Sequence, residues 1–288
     1  MPLIMLFLDG FGLGSLDPQI NPLARAEMPF VRELLEGEPL TRASVGDGII
    51  RPGLVCLPTE TTLKVAGLPQ SATGQTVIFS GINVAKFCGR HINGFPTPTL
   101  CRILQEQNLF KRLNQAGRPA VFANVFTKEY FEAIRSSRWQ HSVTTTAALG
   151  GGCRLLMTED LAKGTGVYQD ITNEQLQAKG YELPVMRPEV AADNLIRLAA
   201  QNEFTLFEYF QTDRCGHSQD WDLALELLER LDCFIKTLAD RLAEFNLDLL
   251  IVSDHGNIED LTVRTHTLNP VPSLALGHRA GEFAGIMT

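Results

Sequence analysis

The sequence predicts an α/β fold with a mostly parallel central sheet covered by helices on both faces. Apolar runs of strand length recur along the chain without polar alternation, as strands buried on both sides require. They alternate with stretches of helical periodicity, the pattern of strand–helix–strand units. A third observation says where the chemistry lies. The runs Leu3–Leu8, Phe204–Phe210 and Leu249–Val252 are each followed closely by an acidic residue, Asp9, Asp213 and Asp254 respectively. In a parallel sheet these carboxylates meet at the carboxyl edge of the strands, where α/β proteins bind ligands.

Leu3–Leu8 is the first buried strand and ends in Asp9-Gly10-Phe11-Gly12, where glycine lets the backbone turn and approach something closely. Pro29–Glu36 reads as a short helix, and residues 40–65, rich in Gly, Thr and Pro, as irregular chain with a short strand over Leu54–Leu57. Gly67 to Thr76 reads as a loop, with a helix starting near Gln75 and Thr76 in its first turn, where N–H groups and the helix dipole favour negative charge. Gly89–Pro96 is a loop, followed by helices over Thr99–Gln105 and Leu109–Ala116 and a strand over Ala120–Phe126. Residues 127–185 alternate short helical patterns with Gly clusters, so the chain reads as one domain, residues 1–288, with a small cap or insertion fitting within about 88–187. Pro188–Ala200 is a helix with proline in its first turn, and Ser218–Asn246 contains the longest amphipathic helix. Val271–Leu276 is the last strand.

A formal charge of −8 argues against nucleic acid or an anionic membrane as the main partner. It leaves room for a small anionic substrate, because bound divalent cations invert the local field. The six cysteines form no C-x-x-C pair and read as core or chance thiols in a reducing cytoplasm, with Cys215 singled out because it lies between two candidate ligands. The apolar N-terminus lacks the basic flank and cleavage site of a signal peptide and reads as a first strand, and no run approaches the ~20 apolar residues of a membrane span.

Histidines accompany the strand-end carboxylates. His217 follows Asp213 at a spacing of four, His255 follows Asp254 directly, and His266 lies eleven positions further on. Carboxylate and imidazole together suit a divalent metal. With the Thr76 hydroxyl, the groups Asp9, Asp213, His217, Asp254, His255 and His266 are enough for two ions. Singly, each has an ordinary reading as a turn, cap or surface residue; their joint mapping to one sheet edge is what carries the expectation. Lys86, Arg90 and His91 follow the Thr76 helix and are candidates for the substrate's anionic oxygens, whereas His141 and His278 read as structural or surface residues.

The order D-G-x-G, G-L-P-x-x-x-x-G-Q-T, D-x-x-G-H, S-D-H-G-N and T-H-T-x-N-P-V-P resembles the alkaline phosphatase superfamily, nearest the cofactor-independent phosphoglycerate mutase and phosphopentomutase branch, over residues 1–90 and about 188–276. The resemblance implies an alkaline-phosphatase-like fold with its metals at the carboxyl ends of the strands. It implies one metal on Asp213, His217 and His266, a second on Asp9, Asp254 and His255, and Thr76 as the bridging nucleophile. The stretch between Thr76 and Asp213 is too short for the large inserted domain of those mutases. Three readings follow: a two-metal phosphatase or phosphodiesterase working through a phospho-threonine with manganese or zinc, a phosphomutase, and a metal-binding protein that has lost catalysis. The substrate expected is a small phosphorylated molecule; the oligomeric state is left open.

Overall fold

Strand β1 (Leu3–Leu8) stands at the middle of the sheet, and its side chains explain the layers around it. Ile4, Leu6 and Leu8 enter one apolar cluster with Leu195 and Ile196 of the Pro188–Ala199 helix and Leu228, Leu231 and Phe234 of the Trp221–Phe245 helix. Met5 and Phe7 enter another with Phe79, Leu100, Phe110 and Ala147. An apolar strand with alternate side chains in two cores is what helices on both faces require.

The computed structural model describes residues 2–287. After β1 come β2 (Ile49–Arg51), β3 (Leu54–Thr59), β4 (Ala120–Phe122), β5 (Val125–Phe126), β6 (Leu156–Met157), β7 (Phe204–Tyr209), β8 (Asp248–Val252) and β9 (Val271–Leu276). Seven of them form one mixed, mostly parallel sheet in the order β2-β3-β9-β8-β1-β7-β4, while β5 and β6 pair separately. Strands β8, β1, β7 and β4 run parallel, with Leu6 facing both Ile251 and Phe207. The three strands that lead into Asp254, Asp9 and Asp213 are therefore neighbours. Strand β9 lies antiparallel between β8 and β3. Among the described residues, no helix is long and apolar enough to cross a membrane.

The structure redraws four expected elements. The Ala120–Phe126 run is broken, because the Asn124 side chain takes the place of a strand residue: Nδ2 donates to the Glu208 carbonyl and Oδ1 accepts from the Glu208 N–H, both at 2.8 Å. The strand at Leu54 continues to Thr59 and gains the partner β2. Residues 211–218 form a helix directly after β7, so Asp213 and His217 share a helical face at i, i+4. The helix expected near Gln75 begins at Ser71. Its Gly74 reads as a helix breaker but is there for packing: a Cβ on it would lie 2.9 Å from Asp254 Cβ.

One buried carboxylate couples the two ends of the chain. Asp232, on the Trp221–Phe245 helix, accepts from the N–H groups of Phe30 (3.0 Å) and Val31 (2.9 Å), capping the Pro29–Leu34 helix, which has no side-chain cap of its own. Asp232→Ala leaves two buried donors unpaired and is expected to cost about 2 kcal/mol, read as a lower urea midpoint with metal affinity unchanged. An unchanged midpoint would remove this cap from the account.

Candidate metal centre and nucleophile

Parallel register brings Asp9, Asp213 and Asp254 to one point, and the histidines close around them. His217 Nε2 lies 3.4 Å from Asp213 Oδ2, and His266 Nε2 lies 3.5 Å from Asp213 Oδ1. His255 Nε2 lies 3.4 Å from Asp9 Oδ1 and 3.5 Å from Asp254 Oδ2. The rings of His255 and His266 stack at 3.6 Å between centroids.

Donor atoms group in two sets whose members lie within 4.8 Å of one another: Asp213, His217 and His266, and Asp9, Asp213 and His255. The first is the set expected from the sequence. The second differs, since Asp213 belongs to both sets and Asp254 stands at its border, its Oδ2 accepting from Gln75 Nε2 at 3.1 Å. The residues fit divalent cations on their own chemistry. The Nδ1–H of His217 donates to the Arg264 carbonyl (2.7 Å) and that of His266 to the Pro69 carbonyl (2.8 Å), which turns each Nε2 toward Asp213, where it can give a lone pair to a cation once it carries no proton. Asp9 Oδ1 is buried without a hydrogen-bond partner.

The electrostatics follow from burial. Desolvation, then the charges of Asp254 and Asp213, hold the Asp9 carboxyl well above the usual range. Desolvation and Asp213 push Asp254 up to about 8. Burial would raise Asp213 as well, but the hydrogen bond with His217 and the nearby His255 bring it down to about 2. His217 is raised to about 9 by its bond to Asp213, while burial and His266 depress His255 to about 3. Burial also lowers His266. The cluster thus holds more acid than its own cations neutralise.

Thr76 does not take the place expected of it. It lies in the second turn of the Ser71–Ser80 helix, is fully buried, and its hydroxyl donates to the Ala72 carbonyl at 2.6 Å. In this arrangement the hydroxyl is turned to its own helix and not to the carboxylate cluster. Ser71, the first residue of that helix, faces the cluster instead: its Oγ lies 2.9 Å from His255 Nε2. The helix starts earlier than the sequence suggests because Gly74 and the surrounding hydroxyl residues imitate a loop.

Further residues act on the site without having been singled out. Gln75 Nε2 donates to Asp9 Oδ2 and Asp254 Oδ2, both at 3.1 Å. Asn257 Nδ2 donates to Asp213 Oδ1 at 2.7 Å. Glu259, fully buried, accepts from the N–H groups of Gly12 (3.0 Å) and Asn257 (2.7 Å), from Asn269 Nδ2 (3.1 Å) and from the Thr267 hydroxyl, binding three site loops together. The glycine of D-G-x-G at position 12 makes room for Glu259, whose carboxyl a Cβ would strike, rather than for a ligand. Glu208 on β7 accepts from Thr144 Oγ1 at 2.6 Å; burial lifts it to about 7, and its charge in turn raises Asp9. An acid inside an otherwise apolar strand was the signal available for it.

The remaining candidates lie outside the cluster. Lys86 and Arg90 are exposed, and His91 turns Nε2 to the Val65 carbonyl at 3.3 Å. His141 bonds to Tyr130 Oη through Nδ1 at 2.7 Å, and His278 is exposed. The Cys215 thiol is buried, donates to the Asp220 carbonyl at 3.4 Å, is pushed by burial up to about 11, and belongs to neither donor set. Among the described residues the six cysteines are all free.

A sheet whose carboxyl edge gathers carboxylates and imidazoles defines a class of metalloenzymes, and the chain belongs to the Metalloenzyme superfamily, whose profile matches residues 1–285. Its fold is alkaline-phosphatase-like. It is similar to the PH0037 protein of Pyrococcus horikoshii (TM-score 0.53, 16% identity, 96% of this chain and 85% of that one). It is also similar to the alkaline phosphatase of the Antarctic bacterium TAB5 (TM-score 0.51, 15% identity, 98% and 93%). In sequence it resembles the 2,3-bisphosphoglycerate-independent phosphoglycerate mutases of Halobacterium salinarum (29% identical over 112 residues, 36% of this chain and 22% of that one) and Hahella chejuensis (32% over 104 residues, 32% and 20%). These matches cover only about a fifth of the mutases' length.

The pKa pattern fixes a sign. Asp254, raised to about 8, adds stability in full only below the ordinary carboxylate range and loses it as pH rises through about 8; His217, raised to about 9, adds stability below its ordinary range and loses it through about 9. The metal-stripped protein is therefore expected to melt at a lower temperature at about pH 9 than at about pH 7, while manganese binding tightens over the same window as these protons leave. Melting that rises with pH in the stripped protein would contradict the assignment. Glu259→Ala, which frees the three loops, is expected to weaken manganese binding by about 10–100-fold in equilibrium dialysis; unchanged affinity would make Glu259 incidental to the site.

Proposed function

We propose that this chain is a metal-dependent phosphoryl-transfer enzyme that hydrolyses a small phosphate ester through a phosphoserine at Ser71. The observation that carries the reading is the placement of Ser71 Oγ, 2.9 Å from His255 Nε2 at the first position of the Ser71–Ser80 helix and beside the carboxylate cluster. Asp213, His217 and His266 would hold one divalent ion, and Asp9 and His255 the other, joined by the Ser71 oxygen and by Asp254, whose Oδ2 lies 3.5 Å from His255 Nε2; the mixed nitrogen and oxygen donors suit zinc or manganese. Two such ions supply the positive charge that acidifies a serine hydroxyl and neutralises phosphoryl oxygens. The chain supplies the rest. The helix N-terminus favours the Ser71 alkoxide and the anionic phosphoryl group. Ser71 Oγ bonds to phosphorus as the ester's alcohol departs, and water then cleaves the serine–phosphate bond. Gln75 and Asn257 hold the carboxylates in place with neutral donors.

We favour hydrolysis over transfer on the exposure of Lys86 and Arg90, the basic residues that follow the Ser71–Ser80 helix in the chain. A phosphomutase reading draws on the names of the sequence relatives; phosphate appearing on a second organic molecule instead of in solution would favour it.

Ser71→Ala is expected to lower p-nitrophenyl phosphate turnover by the manganese- or zinc-loaded protein by at least about 10³-fold, whereas Thr76→Val keeps it within a few-fold. Loss in Thr76→Val with retention in Ser71→Ala would reverse the nucleophile assignment.

A further inference from the structure

The reaction needs a place for the alcohol part of the ester, and the structure has a groove beside the cluster. A cavity of about 440 Å³ is lined by residues 62 and 64–68 and by Leu268. Two of its lining residues are close to the site along the chain. Leu68 precedes Pro69, whose carbonyl accepts from His266 Nδ1 at 2.8 Å, and Ser71 comes next but one after that. Successive Cα atoms are 3.8 Å apart, so Leu68 lies within about 11 Å of Ser71, and Leu268 within about 8 Å of His266.

The groove is built mainly of carbon. Val65, Ala66, Leu68 and Leu268 supply its walls, and Leu268 is 61% exposed although it lies two positions from a candidate ligand. Leu268 together with Val65, Ala66 and Leu68 gives one contiguous apolar lining, which suits an apolar group of a ligand. Lys64 is the one charged residue of the lining. The loop is also set in shape. Leu63 and Lys64 hold φ of 54° and 59°, a left-handed conformation that costs energy in such residues. The Leu63 carbonyl accepts from Asn83 Nδ2 at 3.0 Å, and the Val65 carbonyl faces His91 Nε2 at 3.3 Å.

We propose that this groove holds the departing alcohol and selects phosphate esters of apolar, ring-sized alcohols over esters of small polyols. The proposal rests on the phosphoryl-transfer reading: with phosphorus beside Ser71, the alcohol must lie against an adjoining surface, and this one is apolar. Leu268 and Val65 are specificity residues, and His91 and Asn83 support the loop.

The test is isothermal calorimetry on the manganese-loaded full chain with methylphosphonate and benzylphosphonate, whose carbon–phosphorus bonds the reaction does not cleave. Benzylphosphonate is expected to bind about tenfold more tightly. Leu268→Ser and Val65→Thr should each erase most of that advantage while leaving methylphosphonate affinity unchanged. Equal affinities in the unaltered protein, binding of neither compound, or an advantage that survives both substitutions would overturn the proposal. Turnover of phenyl phosphate and glycerol phosphate, measured alongside, separates the two claims. No turnover with the benzylphosphonate preference intact refutes the hydrolase reading and supports the groove. Turnover without the preference refutes the groove alone.

Discussion

Three carboxylates taken out of water at one point are the constraint on which the rest of the structure depends. Asp9 and Asp254 are buried and Asp213 nearly so, at the ends of three adjacent strands. Desolvation and mutual repulsion penalise that arrangement severely unless cations join it. His217 supplies part of the compensation through Asp213, but His255 and His266 are driven neutral by burial and serve as donors of lone pairs instead. The site makes physical sense as a socket for divalent ions, and the sheet as the frame that keeps mutually repelling groups together.

The supporting residues are chosen so as not to compete for that role. Gln75 and Asn257 donate neutral N–H groups to the carboxylates, orienting them without adding charge. Glu259 is a carboxylate, but it is saturated by donors of its own and serves as a clamp between loops 10–14, 254–260 and 266–270. Tight packing enforces this economy: Gly12 and Gly74 lie where a methyl group would strike Glu259 and Asp254. The two cores that grip β1 transmit no special chemistry, but they fix the register that brings Asp9 between Asp213 and Asp254.

Much of this was legible in the chain. Apolar strands such as Leu3–Leu8 and Phe204–Tyr209 announce a doubly covered sheet, and a carboxylate at the end of each announces the edge that matters. Element boundaries were less legible where a residue has two reasons to be present. Gly74 and Thr73 look like loop chemistry, yet the first makes space for Asp254 and the second bonds its own helix start at the Gln70 carbonyl (3.0 Å), so the helix start was placed about one turn late. Asn124 likewise breaks a strand by side-chain mimicry of the backbone, which periodicity does not register. Gln75, Asn257 and Glu259 escaped because amides and a lone glutamate have no spacing rule; their roles exist only once loops far apart in sequence have met.

The most direct test of the account is anomalous diffraction from a crystal of the zinc-loaded protein, recorded on both sides of the zinc absorption edge. The account requires two peaks, one among Asp213, His217 and His266 and one among Asp9, Asp254 and His255, with the second in contact with Ser71 Oγ. A single peak, or two peaks of which one engages Thr76 in place of Ser71, would contradict it.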